Sequence, residues 1–313
     1  MDYTTLGRTG LRVSRMGLGC GGPSRLGLKT GGSEGDAEAV VREALALGVN
    51  FIDTAEAYGT EEVVGRGIRD TPRDQVVLST KAGVHWQDRR STAAEFRERI
   101  EASLRRLGTD TIDIFHLHGV SLDEYEYARD ELLPVVRKMR EQGNIRFIGI
   151  TEAFGPDPGH KMLVQALKDS CWDVVMVGFN VLNQSARERV LAATQEQNIG
   201  TLCMFAVRRA LSRPETLRTV MMDLVSQGLV DAAAIDPEDP LGFLLSDGGA
   251  ESLPDAAYRF CRWEPGLDVI LSGTSKIAHL RENAASLERP ALESAAADRL
   301  RNLFARVDTV SGN

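Results

Sequence analysis

Four side chains in this sequence could move a proton together: Asp53, Tyr58, Lys81 and His118. A phenol alone has a pKa of about 10, too high for easy proton exchange at neutral pH. A neighbouring ammonium stabilises the phenolate and lowers that value, and a carboxylate keeps the ammonium charged and oriented. An imidazole reaching the same acceptor oxygen fixes its orientation. Such a set suits a carbonyl/alcohol pair, with Tyr58 as proton donor or acceptor. It handles protons but holds no electrons, so a redox reaction requires a hydride carrier.

The spacing asks for three strands. Asn50-Phe-Ile-Asp-Thr-Ala-Glu-Ala-Tyr58 reads as a buried strand running out into a loop, with Asp53 where the strand ends. Val76-Val-Leu-Ser-Thr-Lys81 is an apolar strand ending on a lysine, and Ile112-Asp-Ile-Phe-His-Leu-His118 one ending on a histidine. The carboxyl ends of strands are where α/β proteins build sites. Taken singly, each residue has an ordinary reading: a solvated lysine, a hydrogen-bonded core histidine, a capping aspartate, a surface tyrosine. Their arrival on three successive strands at one rim favours the joint reading. His116 is assigned to the other side of the pleat from His118, with a structural role.

Strand and helix patterns alternate along the whole chain. Segments 3–6 and 11–14 flank Gly7-Arg-Thr-Gly10 as a small hairpin. Eight apolar strands follow at about 15–19, 51–54, 75–80, 111–117, 145–150, 173–177, 201–204 and 268–271, with helical patterns between them. Continuous apolar runs belong to strands buried on both faces. The expected fold is a (β/α)8 TIM barrel with an N-terminal β-hairpin and an extra C-terminal helix at about 291–307. Residues 1–313 are expected to form a single domain. The connection at about 208–254 is a long insertion with a helical pattern near Leu217–Val225, and loops of that length are usually functional or mobile.

Composition narrows the partners. The 313 residues are 42% apolar and 26% charged, with a net charge of −8 and a pI near 5.3. That balance is globular and offers no basic footprint for nucleic acid or an anionic membrane. Cys20, Cys171, Cys203 and Cys261 are dispersed, so neither a disulfide framework nor a metal site is expected. The amino terminus lacks a signal-peptide pattern and no run is long enough to span a bilayer, which points to the cytoplasm. Oligomeric state has no sign in the sequence. Gly17-Leu-Gly-Cys-Gly-Gly22 matches GxGxxG, yet no helix pattern opens at its third glycine, as a dinucleotide fold requires. It reads instead as a glycine-rich loop at the rim of the first barrel strand.

Over nearly its whole length the chain resembles the aldo-keto reductases. The resemblance is carried by Phe51-Ile-Asp-Thr-Ala-Glu-Ala-Tyr-Gly59, Ser79-Thr-Lys81, Asp110–His118, Gly143–Ile150 and Ser272-Gly-Thr-Ser275 with Arg281-Glu-Asn283. It implies a barrel binding NADP(H) or NAD(H) across the strand ends, and hydride transfer to an aldehyde, ketone or sugar. Tyr58 would be the acid/base, supported by Asp53, Lys81 and His118. Gly273, Thr274, Ser275, Lys276, His279, Glu282 and Asn283 would hold the adenosine phosphate end, at a helix start suited to phosphate. Departures follow the same alignment. Thr151 and Glu152 stand where Ser-Asn is common, and Met176 where Gln holds the nicotinamide amide. Met204, with Phe205 next, stands where an aromatic stacks on the ring. His279 takes the place of an arginine, for which Arg209, Arg208 or Lys276 would substitute; NADP(H) is favoured over NAD(H). Glu152 is expected beside the nicotinamide, where its charge would favour the oxidised ring. Cys20, Gly22 and Trp86 are expected at the substrate pocket, with the loops near Phe154 and 208–254 setting specificity. Two rival readings are a cofactor-binding sensor with little turnover and a Schiff-base aldolase using Lys81. The second needs a neutral amine, which Asp53 opposes.

Overall fold

The computed structural model describes residues 1–313. Strands β1 (Tyr3–Thr5) and β2 (Arg12–Ser14) form the antiparallel hairpin. The barrel strands are β3 (Met16–Gly19), β4 (Phe51–Asp53), β5 (Val77–Gly83), β8 (Ile112–Val120), β9 (Ile145–Glu152), β10 (Val174–Gly178), β11 (Gly200–Met204) and β12 (Val269–Ser272). They pair in parallel in that order, and β12 closes on β3. A second small hairpin, β6 (His85–Trp86) with β7 (Arg89–Arg90), rises from the end of β5.

Each strand is buried on both faces, and the two faces pack separately. Phe51, Val77, Ile114, Val174, Met176, Leu202 and Val269 point inward and meet Leu6, Leu11 and Val13 of the N-terminal hairpin. The barrel is therefore a filled core closed at its amino end, not a pore. The outward residues join the helices in a second, larger cluster; Phe115 meets Phe96 of helix Ala93–Leu107 edge-on at 6.1 Å.

Helix starts follow the sequence closely. Ser33 and Asp36 form a capping box on helix Glu34–Ala46, and Thr92 and Glu95 form one on Ala93–Leu107. Gly108, at φ 65°, ends the second in the left-handed region that glycine tolerates.

Three expectations change. β5 and β8 overrun their assigned ends, because the β5–β8 ladder continues to Gly83 opposite His118. Lys81 and His118 therefore lie inside strands rather than at their tips. His116 is not on the far side of the pleat from His118. Residues two apart share a face, and the His116 ring lies inside the barrel, where any side chain at Gly149 would overlap it. Segment 208–254 is not an open loop. It forms helices Arg209–Ser212, Pro214–Ser226 and Phe243–Ser246 and buries Leu217, Met221 and Leu224. The C-terminal helix is Ser294–Leu303, and no helix is long and apolar enough to cross a membrane.

Candidate active site

Asp53 is the last residue of β4, and the chain then turns through a 3-10 helix, Glu56–Tyr58. Gly59, at φ 68°, ends that turn and leaves the Tyr58 ring over the barrel mouth. Lys81 comes up from β5 and His118 from β8. Lys81 Nζ donates to both Asp53 oxygens at 2.6 Å and to the Thr54 carbonyl at 2.7 Å. Those partners occupy the donors of the ammonium. Ser79 Oγ also donates to Asp53 Oδ1, at 2.7 Å. The ammonium lies 5.3 Å from the Tyr58 ring centre. The Tyr58 hydroxyl is 3.3 Å from His118 Nε2, and the two rings meet edge-on. Asp53 and Lys81 are buried, whereas Tyr58 and His118 are half-buried. An ion pair thus floors the site, and a phenol and an imidazole face outward.

Electrostatics departs from the simple expectation for Tyr58. Burial raises the phenol above its ordinary value; Lys81 pulls it down and Asp53 reinforces burial, so the net direction is up. For Lys81, burial favours loss of the proton, but Asp53 and Tyr58 outweigh it and raise the pKa. A charged Lys81 is unsuited to Schiff-base chemistry. Burial and then Lys81 push His118 down to about 3, so it is neutral at ordinary pH. His116 is lowered by the same causes, and neither of its ring nitrogens has a partner.

The expected substrate residues separate. Gly22 is exposed at φ 72° on the loop after β3, while Cys20 is buried below it beside Asp53 and Lys81. Cys20 therefore lies under the floor of the site and not on an open wall. Trp86 stands on the β6–β7 hairpin, 43% exposed, with the Arg99 guanidinium 4.9 Å from its ring. Arg99 also pairs with Glu56, two residues before Tyr58. Phe154 is buried, stacked on His160 at 5.3 Å and packed against Phe205.

The nicotinamide seat differs from expectation at Glu152. Glu152 Oε1 accepts the Gly178 N–H at 2.7 Å, and its oxygens lie 2.9 and 3.0 Å from His160 Nδ1. It is fully buried, neither offered to a ligand nor turned outward to Arg208; burial raises its pKa against the opposing hydrogen bonds. Thr151 Oγ1 accepts the Gly119 N–H at 2.7 Å. Met176 belongs to the barrel filling, with half-buried Met204 packed above it.

A cleft of about 580 Å³ opens between the segments after β11 and β12, walled by Arg208, Arg209, Arg213, His279, Glu282 and Asn283. Gly273 and Thr274 also line it, whereas Ser275 and Lys276 lie just outside. Asn283 Nδ2 donates to Ser272 Oγ at 2.9 Å, and the Lys276 N–H donates to Thr274 Oγ1, shaping the turn into helix Ile277–Glu288. Arg208 lies over the Phe205 ring at 4.0 Å. The sequence reading gave no site role to Ser79, His160, Arg213 or Arg25. Ser79 was visible by period, two residues before Lys81 on the same face. Arg213 was visible as the third arginine of its segment; His160 and Arg25 carried no local signal.

A model of the aldo/keto reductase family matches residues 15–304. The chain is 38% identical to the L-galactose dehydrogenase of Arabidopsis thaliana over 157 residues, about half the length of each chain (48%). It is 27% identical to the NADH-specific methylglyoxal reductase of Escherichia coli, over 92% of this chain and 94% of that one. Among solved structures, the holo form of aldo-keto reductase AKR11C1 from Bacillus halodurans has a TM-score of 0.75 at 24% identity, covering 99% of this chain and 98% of that one.

Proposed function

The chain belongs to the aldo/keto reductase family, whose members pass a hydride between a nicotinamide cofactor and a carbonyl or alcohol, and we propose that Tyr58 is its proton donor and acceptor. The observation that carries this is the Tyr58 hydroxyl 3.3 Å from His118 Nε2, above the buried Lys81–Asp53 pair. When bound, the nicotinamide supplies or accepts the hydride. The residues of the chain then act on the substrate oxygen. Neutral His118 orients that oxygen without competing for its proton. In reduction Tyr58 gives its proton to the oxygen as negative charge develops there. Lys81, held charged by Asp53, stabilises the phenolate left behind. In oxidation the same proton returns to Tyr58.

The residues fit a phosphorylated cofactor. Arg208, Arg209 and Arg213 face one cleft, and neither Arg209 nor Arg213 is paired with a carboxylate. Asp255 in the same wall is already paired with Arg259 and Arg289, which leaves Glu282 as the opposing charge. This balance supports NADP(H) over NAD(H), the 2′-phosphate going to the arginines. Met204 would underlie the nicotinamide, a thioether in place of a ring. The substrate would be a small aldehyde, ketone or sugar.

The test pairs fluorescence titrations with NADPH and NADH against turnover of a carbonyl panel, in the parent and in Tyr58→Phe. The variant keeps the ring and deletes the proton. Expected is a fall in turnover of about 10²-fold or more, with cofactor dissociation constants nearly unchanged. Normal turnover in Tyr58→Phe would sink the assignment. Tighter binding of NADH than NADPH would reverse the cofactor preference.

A further inference from the structure

The loop after β3 carries a cation that the proton chemistry does not use. Arg25 has φ 48° and Leu26 φ 58°, two consecutive non-glycine residues in the left-handed region. That conformation is costly and persists where surrounding structure enforces it, often at functional sites. Here the enforcement is visible. Leu26 is buried in the main core and anchors the loop. Gly21 lies so close to Tyr58 that a Cβ there would come within 2.6 Å of the ring. Gly27 abuts Ser275, where a Cβ would come within 3.3 Å of the serine side chain. The loop therefore bridges the proposed acid/base residue and the cofactor segment, with half-buried Arg25 between these two approaches.

Arg25 is not consumed by the fold. Its guanidinium makes one hydrogen bond, from Nη1 to the Tyr58 carbonyl at 3.3 Å, which uses one of its five donors. It pairs with no carboxylate. Asp53 and Glu56, the carboxylates flanking Tyr58, are engaged by Lys81 and Arg99. Its charge reaches the phenol, where it favours the ionised form. A guanidinium with free donors, beside the turn that carries Tyr58, matches the planar geometry of a carboxylate.

We propose that Arg25 is a substrate-recognition residue that binds a carboxylate carried by the carbonyl substrate, so that oxo acids and sugar acids are favoured over their neutral counterparts. This rests on the reading of Tyr58 as the acid/base. One tyrosine side chain separates the phenol from the backbone carbonyl that Arg25 contacts, a span that a substrate with its carboxylate a few bonds from its carbonyl would bridge. The same oxyanion chemistry occurs in the cofactor's diphosphate, and the experiment separates the two sources.

Succinate semialdehyde is compared with its uncharged methyl ester, and glucuronate with glucose, in the parent and in Arg25→Gln. The expected result is a kcat/KM preference for the charged member of about tenfold or more in the parent, as for loss of one good charged contact. That preference collapses in Arg25→Gln and returns partly in Arg25→Lys. A readout independent of turnover is calorimetric binding of succinate to the complex with oxidised cofactor. It should weaken at least about tenfold in Arg25→Gln, and it should survive in Tyr58→Phe. Equal kcat/KM for charged and neutral members in the parent, or unchanged succinate binding in Arg25→Gln, overturns the proposal. If instead the NADPH and NADH dissociation constants rise together in Arg25→Gln while substrate preference is unchanged, the diphosphate is the anion and the proposal fails. Normal turnover in Tyr58→Phe would defeat the acid/base reading alone, because succinate binding is scored without it.

Discussion

At the scale of single residues, the phenol and the ammonium beneath it are the coupled pair. Burial holds the Tyr58 pKa up and Lys81 opposes burial. Removing the cation in Lys81→Met takes away the largest charge that lowers the phenol and leaves burial and Asp53 opposed only by Arg25, so the pKa rises further. Oxidation of an alcohol needs phenolate, so its rising pH limb should move to higher pH, and turnover near neutrality should fall by about 10²-fold or more. A pH profile of kcat in the oxidation direction measures this; an unshifted limb would show that Lys81 does not tune Tyr58. The same substitution strands Asp53 as a buried, unpaired charge, a loss of roughly 3–5 kcal/mol. Circular dichroism at each pH keeps unfolding from being read as a pKa shift. Glu152 teaches a different lesson. Its chemistry invites a ligand, but Gly178 and His160 claim it.

At the scale of elements, the proposed acid/base residue depends on a close approach between two loops. The loop after β3 meets the 3-10 turn Glu56–Tyr58 at Gly21, where only a hydrogen fits against the ring. Gly21→Ala brings a Cβ to within 2.6 Å of Tyr58, so ring and loop must part. Misplacement of about 1 Å can reduce a rate by roughly 10². The expected outcome is a turnover loss of at least about tenfold with little change in melting temperature, since both loops lie at the rim. Thermal denaturation beside steady-state kinetics checks it. A loss of stability without loss of turnover would place the contact's role in folding alone. On the other side of the turn, Glu56 pairs with Arg99, which also meets Trp86. One buried guanidinium thus ties the turn to helix Ala93–Leu107 and to the β6–β7 hairpin.

At the scale of the whole molecule, the barrel interior carries two histidines that titrate differently folded and unfolded. His118 falls to about 3, and His116 lies well below its ordinary value, both chiefly through burial. Unfolded, each takes up a proton near pH 6.5. The sign follows. His118 is neutral in the native state at pH 5, while the unfolded chain protonates it, so stability falls as pH drops below about 6.5 and, for His118, continues to fall toward about 3; the lowered His116 adds to the loss in the same direction. His118 contributes about 1.4 kcal/mol per pH unit inside that window. Urea midpoints at pH 7 and pH 5 measure the loss. His116→Leu keeps an apolar side chain in the barrel and removes one titrating group from the count, so its loss between the two pH values should be smaller than the parent's. An equal loss in both proteins would mean that His116 does not take part.

The sequence by itself determined the repeat of strands and helices and the barrel, and it singled out Asp53, Tyr58, Lys81 and His118 as candidates. Those signals are local. Apolar runs mark strands, capping residues mark helix starts such as Ser33 and Thr92, and strand ends show where polar groups emerge. Even His116 was legible, because the two-residue period of a strand sets its face once His118 is placed. The tertiary structure decided which polar groups remain free to act. Glu152 reads as a charged residue at a strand end and Arg25 as an ordinary loop residue, yet the first is satisfied by His160 eight residues away and the second meets the Tyr58 carbonyl across 33 residues of chain with donors to spare. It also decided the sign of the Tyr58 shift, because burial and charge oppose each other there and only their distances set the balance. Spacing along a chain reports the direction of a side chain. Desolvation and pairing depend on what other segments bring to the same place, and no single segment encodes that.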